Sequence, residues 1–342
     1  MSHNKEINVL CIWQPNERLQ NYLQEGLSNL PEVKLIFPPD VEQETFIELA
    51  PSADIIMGWR PSIDLLKAAK RMRLFLNPGA GIQHLIPLFK EINKEREVIL
   101  VNGHGNSYFT AQHTVALLFS LMNKVVLHHN WMKEGKWRLG DSHAASIPLR
   151  DRKVGLLGYG AVNHKVHHFL SGFNVEFAVL RRDWGKQKIP LPTPVVKYTY
   201  DELPRFLKDI DTLIVAVPLT SKTEGMIKEE ELELLGENGL LVNMARGAVV
   251  DEKCLYQALK DKKLLGAALD VWYNYQPEPD DVGRKYPSQY PFHTLDNVVL
   301  SPHRGASPFS DLKRWDEQIE NITRFAKGRN DFMNIVNLED EY

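Results

Sequence analysis

The sequence predicts an α/β protein built on parallel sheets that carry helices on both faces. Short apolar segments of strand length alternate with amphipathic segments of helical length along nearly the whole chain. Such alternation is typical of parallel sheets, because each strand must return to the same edge of the sheet through a helix. The length of 342 residues suggests about two domains, and 43% hydrophobic with 25% charged residues is an ordinary globular composition.

Strands are expected at ten short apolar runs. These are Ile7–Trp13, Ile55–Met57, Leu74–Leu76, Ile99–Val101, Lys153–Leu157, Glu176–Leu180, Thr212–Val217, Leu240–Asn243, Ala267–Leu269 and Val298–Leu300. Helices are expected over Asn16–Ser28, Pro61–Ala69, Leu203–Leu207, Glu252–Lys260, Thr110–Met122 and Asp311–Lys327. The stretch Gln276–Pro291 is rich in Pro, Asp and Tyr and has no period, which predicts an irregular loop.

Two apolar helical segments suggest how the domains are connected. Thr110–Met122 and Asp311–Lys327 each follow a segment with candidate functional residues, as helices that bridge two domains across a cleft would do. We therefore expect one domain from residues 1–104 and 305–342, which owns both chain ends, and a second domain from residues 105–304.

Composition excludes several classes of protein. A net charge of -3 provides no basic surface for nucleic acid. The mean hydropathy is negative and no apolar run reaches the roughly 18 residues of a membrane span. The polar start, Met1–Glu6, is unlike a signal peptide, and the only cysteines, Cys11 and Cys254, are far apart in the sequence. We expect a cytoplasmic protein with neither nucleic acid nor membrane as a partner.

The segment Lys153–Asn163 is a hydrophobic strand that runs into Gly-x-Gly and then a helix. Gly158 permits a tight turn, and Gly160 lets backbone N–H groups approach a pyrophosphate at the helix N-terminus. The third glycine of this dinucleotide fingerprint is replaced by Asn163, and a simple strand–helix turn would share the remaining pattern. The expected cofactor contacts in this loop are Gly158, Tyr159, Gly160, Ala161 and Val162.

The end of the following strand bears on the choice of cofactor. An acidic residue there would hold the ribose hydroxyls of NAD, but the sequence reads Leu180-Arg181-Arg182-Asp183. Two arginines suit the 2′-phosphate of NADP. NADP is therefore expected somewhat before NAD; the alternative is a solvated basic turn in which Asp183 reaches the ribose.

Several further segments, taken together, resemble the NAD(P)-dependent D-isomer-specific 2-hydroxyacid dehydrogenase family. They are Val242–Glu252 with its arginine, Gly266–Trp272, Leu300–Ala306 with its histidine, Val217–Thr220 with Thr223, Asn77–Gly81 and Thr110–Thr114. Their order and spacing span about residues 54–325. The resemblance implies two Rossmann-like or flavodoxin-like doubly wound domains, the second of them binding the dinucleotide, with the active site in the cleft between them. It also implies hydride transfer between NAD(P)H and a small 2-oxo acid.

The chemistry of such a reaction needs these residue types. Arg246 can hold a carboxylate and a carbonyl oxygen together, and His303 can exchange the hydroxyl proton because its pKa is near neutrality. By resemblance, the backbone N–H groups of Ala80 and Gly81 bind the substrate carboxylate. The remaining implied contacts are Trp59 and Asn106 for the substrate, and Val217, Pro218, Thr223, Ala245 and Asp270 for the cofactor.

The sequence departs from the family at the residue that pairs with the histidine. The family has a Glu a few residues after the strand that ends at Asp270, and this position is Tyr275 here, followed by Gln276. An amide can orient an imidazole but brings no charge. We expect Gln276 to be the neighbour of His303, with Tyr275 and Glu278 as the alternatives.

Two branches of the family and one non-catalytic class compete. Gln276 and Asn106–Ser107 resemble the formate dehydrogenase branch, whereas the residues after His303 and the small Ala80 do not. Met57–Pro61, which contains Trp59, looks like the NADPH-dependent glyoxylate/hydroxypyruvate reductases, and this interpretation is preferred without a choice among 2-oxo acids. A dinucleotide-sensing binding protein without catalysis is the remaining alternative.

Two clusters receive simpler interpretations. His164, His167 and His168 have a helical spacing that could hold a metal, but a polar helix face explains them and no metal is expected. Trp131 and Trp137 lie in an arm that, by resemblance, supports a homodimer through the nucleotide-binding domains.

Overall fold

The computed structural model describes residues 6–137, 145–186, 189–308 and 310–342. The chain divides into two compact units. The terminal unit comprises Met1–Asn106 with Pro308–Tyr342, and the central unit comprises Ser107–Ser307. These limits lie two residues after the expected boundary at 104 and three after the one at 304.

The terminal unit contains a five-stranded parallel sheet in the order β2-β1-β3-β4-β5. Its strands are β1 (Ile7–Cys11), β2 (Val33–Ile36), β3 (Ile55–Met57), β4 (Leu74–Asn77) and β5 (Ile99–Asn102). Its helices are α1 (Glu17–Gly26), α2 (Gln43–Leu49), α3 (Ile63–Ala68), α4 (Ile86–Ile92) and α11 (Asp316–Ala326). Side chains cap the starts of two of them, since Asn16 accepts from Leu19 N–H and Ser62 from Leu65 N–H.

The central unit contains a seven-stranded parallel sheet in the order β12-β11-β10-β9-β6-β7-β8. Its strands are β6 (Lys153–Leu157), β7 (Glu176–Leu180), β8 (Val196–Tyr198), β9 (Thr212–Val215), β10 (Leu240–Asn243), β11 (Gly266–Leu269) and β12 (Val298–Leu300). Its helices are α5 (Ser107–Met122), α6 (Val125–Lys133), α7 (Ala161–Leu170), α8 (Leu203–Lys208), α9 (Glu229–Leu235) and α10 (Glu252–Lys260).

The core of the central unit lies on both faces of its sheet. Leu156 and Leu157 are consecutive on β6 and fully buried, one packed in each of two separate hydrophobic clusters. A strand covered on both sides must be apolar at every position, and this is why these strands were recognisable as continuous apolar runs. The prediction of an α/β fold with parallel sheets is confirmed.

All ten expected strands are present, and the described residues contain two further strands, β2 and β8, that were not expected. Each forms one outer edge of its sheet; the strands at the opposite edges, β5 and β12, were among those expected. An edge strand is covered less completely, and Val196 and Lys197 of β8 are exposed accordingly. The expected helix at Asp311–Lys327 begins as a 3-10 turn over Leu312–Trp315 before α11.

The order of the strands determines where a ligand can bind in the central unit. From β6 the chain moves first towards β7 and β8, and later to β9 on the other side of β6. The loops after β6 and β9 therefore diverge and leave a crevice at the carboxyl ends of these strands. The helices in the described residues are all too short or too polar to cross a membrane.

We predict that Gly105→Ala destabilises the terminal unit. A Cβ atom at residue 105 would lie 2.0 Å from the carbonyl oxygen of Arg314, and two backbone segments cannot separate without losing their packing. The expected cost is about 1–3 kcal/mol, measured as a lower midpoint of urea unfolding. In the control Gly172→Ala, the added Cβ has no atom within 4 Å. Equal midpoints for the two variants would contradict the prediction.

Candidate active site

Three neighbouring strands of the central unit, β10, β11 and β12, end beside one another. Arg246 follows β10, Asp270 follows β11 and His303 follows β12. Parallel strands bring their carboxyl ends to one edge of the sheet, and three residues far apart in the sequence therefore lie close together.

The backbone around Arg246 is held by the last residue of β10. Asn243 accepts a hydrogen bond from Ala245 N–H at 3.0 Å and donates one to the carbonyl of Arg246 at 3.1 Å. A Cβ at Gly247 would lie 2.4 Å from the Trp272 carbonyl oxygen, which shows how closely this turn approaches the segment after β11. The guanidinium donates to the Ala245 carbonyl at 2.7 Å. The turn thus has a defined position relative to β11.

The loop that carries His303 is attached to Asp270, which is only 1% exposed. The carboxylate accepts from the backbone N–H groups of Arg304 at 2.7 Å and Gly305 at 2.8 Å, and from the Ser301 hydroxyl. These bonds hold His303 at a φ of 56°, a conformation that costs a non-glycine residue about 1–3 kcal/mol. Asp270 was expected to contact the cofactor; in the structure both of its oxygens serve this loop.

The pKa of Asp270 follows from the same contacts. Burial by itself raises the pKa, but hydrogen bonds from His113, from Ser301 and from two backbone N–H groups outweigh it and lower the pKa. Asp270 is therefore a charged anchor at neutral pH. A carboxylate can accept up to four hydrogen bonds. The groups that stabilise the charge of Asp270 include no arginine or lysine side chain.

His113 on α5 is a member of this network that the sequence analysis did not assign to the site. Its Nε2 atom lies 2.8 Å from the Ser301 hydroxyl and 3.4 Å from Asp270 Oδ1. The indole N–H of Trp272 donates to the Ser301 carbonyl at 2.8 Å from the other side. In the sequence, the indication for His113 is its place within Thr110–Thr114, a segment that resembles the family.

The neighbour of His303 is Tyr275, and the expectation that Gln276 would occupy this place is wrong. The Tyr275 hydroxyl lies 2.8 Å from His303 Nδ1. Gln276 is exposed, and its backbone N–H donates to the Asn274 side chain at 2.9 Å. This turn directs residue 275 towards the histidine and residue 276 towards solvent. Tyr275 was one of the two alternatives; Glu278, the other, is also exposed.

The pKa of His303 is lower than that of an ordinary histidine. Although His303 is exposed at the surface, partial burial of the imidazole lowers its pKa, the positive charge of Arg246 lowers it further, and Asp270 offsets part of the effect. Imidazolium is therefore disfavoured at this position.

The Gly-x-Gly segment forms a tight loop between β6 and α7. Gly158 has a φ of 80°, and a Cβ there would lie 2.7 Å from the Val217 side chain and 2.8 Å from the Ala216 carbonyl oxygen. Gly160 directly precedes α7, and a Cβ there would have no neighbour within 4 Å. The free space lies at the N-terminus of a ten-residue helix. These features fit the pyrophosphate of a dinucleotide.

Asn163 occupies the position of the third glycine, and its side chain forms hydrogen bonds within the loop. Its side chain is fully buried, and the amide donates to the Gly158 carbonyl at 2.6 Å and to the Leu157 carbonyl at 3.3 Å. The asparagine thus turns inwards and binds the loop, instead of separating α7 from β6. The tight turn at Gly158 is thus present with an asparagine at the position of the third glycine.

Tyr159, between the two glycines, is anchored in the interior. Its hydroxyl lies 2.7 Å from His167 Nδ1, and His167 Nε2 lies 2.7 Å from the Thr193 hydroxyl. Burial lowers the pKa of His167 to about 4. His164, on the same helix, contacts the Pro190 carbonyl at 3.2 Å. His164 and His167 are therefore accounted for by contacts within the protein.

The end of β7 carries a cluster of cations. The Arg181 guanidinium lies 5.6 Å from the ring centre of Trp184, and Lys197 Nζ lies 4.8 Å from the same ring. Arg182 is adjacent to Arg181 in the sequence. Both ring contacts are within the range of cation–π attraction.

The loop after β9 is closed by its own threonine. Thr223 is 2% exposed; its hydroxyl donates to the Pro218 carbonyl at 2.6 Å and accepts from Thr220 N–H at 2.9 Å. Val217 is 4% exposed and packs against the Gly158 turn. Thr223 thus shapes the expected cofactor loop from within.

The loop around Ala80 and Gly81 lies at the end of β4 in the terminal unit. Asn77 and Asn102, paired across β4 and β5, donate to the carbonyls of Gly79 and Ala80, the second at 3.2 Å. In the described part of the chain, the N–H groups of Ala80 and Gly81 have no acceptor. With the carbonyls turned inwards, both N–H groups are available to an anion.

Trp59 belongs to an aromatic cluster in the terminal unit. Its ring centre lies 5.1 Å from that of Trp13 and 6.0 Å from that of Trp315, and it remains 37% exposed. The indole nitrogen would lie 3.5 Å from a Cβ at Gly79, so that the ring borders the loop of Ala80. Asn106 is the last residue of the first segment of this unit and is partly buried.

Comparison with known proteins gives one family. Residues 115–305, 191 of the 342, match the model described as D-isomer specific 2-hydroxyacid dehydrogenase, NAD binding domain. A D-3-phosphoglycerate dehydrogenase of Archaeoglobus fulgidus is 32% identical over 80% of this chain and 49% of its own length. A glyoxylate reductase of Korarchaeum cryptofilum is 30% identical over 81% of this chain and 79% of its own length.

Solved structures show the same fold. A NADPH-dependent glyoxylate/hydroxypyruvate reductase of Sinorhizobium meliloti superposes with a TM-score of 0.72 over 97% of this chain and 98% of its own, at 20% identity. The chain spans only about half the length of the phosphoglycerate dehydrogenases that it matches, with 49% and 55% covered. On the extent of the family match and on the glyoxylate reductase that it covers for most of its length, the chain belongs to the D-isomer specific 2-hydroxyacid dehydrogenase family.

Proposed function

We propose that the chain is an NAD(P)H-dependent reductase of small 2-oxo acids that also oxidises the corresponding D-2-hydroxy acids. The observation that carries the proposal is that Arg246 and His303 stand at the ends of neighbouring strands in a unit with a dinucleotide loop. The names of two relatives, glyoxylate reductase and hydroxypyruvate reductase, support glyoxylate and hydroxypyruvate as substrates.

Arg246 and His303 divide the work at the substrate. The guanidinium binds the carboxylate and the carbonyl oxygen, and thereby stabilises the negative charge that develops on that oxygen. When bound, the reduced nicotinamide supplies a hydride to the carbonyl carbon and is itself oxidised. The electron pair of the carbonyl bond moves to the oxygen, which takes a proton from the imidazolium of His303. In oxidation the neutral imidazole accepts the same proton.

We propose that the terminal unit, taken by itself, holds an anion site. The N–H groups of Ala80 and Gly81 bind a carboxylate, because the asparagines behind the loop hold its carbonyls inwards. Trp59 provides an apolar surface next to this loop, and Asn106 remains a proposed substrate contact.

We predict that His303→Asn lowers kcat for glyoxylate reduction by about 10²–10⁴-fold, because the proton donor acts mainly in the transition state. Binding of NADPH, followed by its fluorescence, should be unchanged. Arg246→Ala should raise KM for glyoxylate and also lower kcat, because the contact exists before and during the reaction. Full turnover by His303→Asn would refute the assignment of the donor.

Measuring cofactor turnover with glyoxylate and with formate separates the alternative functions. A formate dehydrogenase would oxidise formate, and a dinucleotide sensor would bind cofactor without any turnover. The residue that favoured the formate branch, Gln276, does not contact His303 in the structure, and this weakens that alternative.

For the cofactor we propose a preference for NADP(H) over NAD(H), with Arg181 and Arg182 binding the 2′-phosphate. Lys197 adds a third positive charge on the neighbouring strand, within reach of the same tryptophan as Arg181. A phosphate among these cations gains charge-assisted hydrogen bonds that the ribose of NADH cannot form.

We predict that Arg181→Ala with Arg182→Ala raises KM for NADPH at least 10-fold more than KM for NADH, since charged hydrogen bonds contribute about 1.5–3 kcal/mol each. Arg205→Ala, an exposed arginine on α8, is the matched control. Equal losses with both cofactors would show that the pair does not bind the 2′-phosphate.

We also propose that a second copy of the chain covers α6. None of its residues is buried, although it carries Val125, Val126 and Met132 at 52%, 47% and 54% exposure. Trp137, which follows the helix, is 72% exposed. Apolar surface of this kind is characteristic of interfaces, and the resemblance to the family had indicated this arm.

We predict that Val125→Glu with Val126→Glu yields a monomer, because two charges would be buried in the interface. Light scattering should give twice the chain mass of 39.2 kDa for the native protein and the single chain mass for the variant. Val282→Glu, at a residue 71% exposed in an irregular loop, should leave the native mass unchanged. If the native protein has the mass of one chain, the proposed dimer is refuted.

A further inference from the structure

The hydroxyl of Tyr275 has two neighbours with different demands. The backbone N–H of Trp272 points at its oxygen from 3.4 Å, and the imidazole Nδ1 of His303 lies at 2.8 Å. A hydroxyl both donates and accepts, so it can donate its proton to Nδ1 while its oxygen accepts from Trp272. In this arrangement the neutral imidazole carries its own proton on Nε2. In the other tautomer Nδ1 carries the proton and donates to the Tyr275 oxygen, so that Nε2 is free to accept a proton.

A carboxylate in this place would behave differently. It can only accept, so Nδ1 would have to carry a proton, and its negative charge would favour imidazolium. Tyr275 has no charge near neutrality, because its partial burial raises the pKa of the phenol. The hydroxyl orients the ring without stabilising its charge.

The other groups of the central unit that act on His303 do not replace the missing charge. Arg246 opposes imidazolium directly. Asp270 favours it, but its oxygens are committed to Ser301 and to the backbone of Arg304 and Gly305. Among these charged groups none is hydrogen-bonded to the imidazole; Tyr275 is.

We propose that Tyr275 is the positioning residue of His303 and that its uncharged hydroxyl leaves the imidazole without an ionic partner. The proposal rests on the proposed function, since it explains how that site handles its proton. Nδ1 carries a proton both in the imidazolium and in the neutral tautomer that accepts the substrate proton at Nε2. In both, Nδ1 donates to the Tyr275 oxygen, and the phenol proton turns away from the ring. The same hydroxyl therefore accommodates both protonation states, and Nε2 faces the substrate in each.

The protonation state of His303 makes the reaction depend on pH. Because the pKa of His303 is lowered in the folded protein, the imidazolium required for reduction is present below that pKa and is lost as the pH rises through it. This loss lies below the ordinary histidine value of about 6.5. The neutral form required for oxidation is correspondingly available at neutral pH. The protein is thus better prepared at pH 7 to accept a proton than to donate one.

The test compares Tyr275→Glu with Gln276→Glu in the full chain. Both add one carboxylate, but the first places it at His303 and the second in solvent. The pH profile of kcat/KM for glyoxylate reduction with NADPH should decline below pH 6.5 in the native protein. Tyr275→Glu should move this decline upwards by about 1–3 units, whereas Gln276→Glu should leave it in place. Tyr275→Phe should lower kcat/KM on the order of 10-fold without moving the decline upwards.

A second measurement tests the effect of Tyr275 on the pKa of His303 without relying on the proposed reaction. Proton NMR titration of the twelve histidines, with His303→Gln to identify the signal, gives the pKa of His303 without substrate. An upward shift in Tyr275→Glu alone supports the proposal even if glyoxylate is not reduced. An unmoved His303 pKa in Tyr275→Glu, or an equal shift in Gln276→Glu, would overturn it.

Discussion

The site in the central unit depends on one buried carboxylate. Asp270 lies at the end of β11 and holds the loop of His303 by hydrogen bonds to two backbone N–H groups and to Ser301. A buried charge is tolerated only when its hydrogen bonds are made, and here they are made by the loop that must be placed. The carboxylate and the loop therefore require each other. The left-handed conformation of His303 is maintained by this mutual requirement.

Trp272, two residues after Asp270, connects three neighbouring loops of the site through its contacts. Its indole donates to the Ser301 carbonyl, and its backbone N–H points at the Tyr275 hydroxyl. Its own carbonyl lies where a side chain at Gly247 would be, so the Arg246 turn packs directly on it. One residue thus contacts the arginine turn, the histidine loop and the partner of the histidine. Its ring is 7% exposed, and the hydrophobic core holds it in place.

The dinucleotide loop follows the same principle with a neutral residue. Asn163 is buried and donates to the carbonyls of Leu157 and Gly158, which fixes the turn from inside. His167 does the same for Tyr159 through its ring nitrogen. In both cases a polar side chain on α7 takes part in the position of the loop through the hydrogen bonds it makes, although Oδ1 of Asn163 itself has no partner among the described residues. A substitution that looked like a defect in the fingerprint is a hydrogen-bonding device.

The sequence by itself determined the fold class, ten of the strands and the family, because buried parallel strands need continuous apolar runs and glycine turns need glycine. Two of the four edge strands were missed, since Val33–Ile36 and Val196–Tyr198 are only partly covered and carry a weaker pattern. Candidate residues such as Arg246 and His303 were recognisable from their motifs, whereas His113 was not assigned to the site. Only the tertiary structure decided that Tyr275 and not Gln276 meets the histidine. Adjacent residues differ by the direction of one turn, and that direction is set by Asn274, Trp272 and the backbone around them.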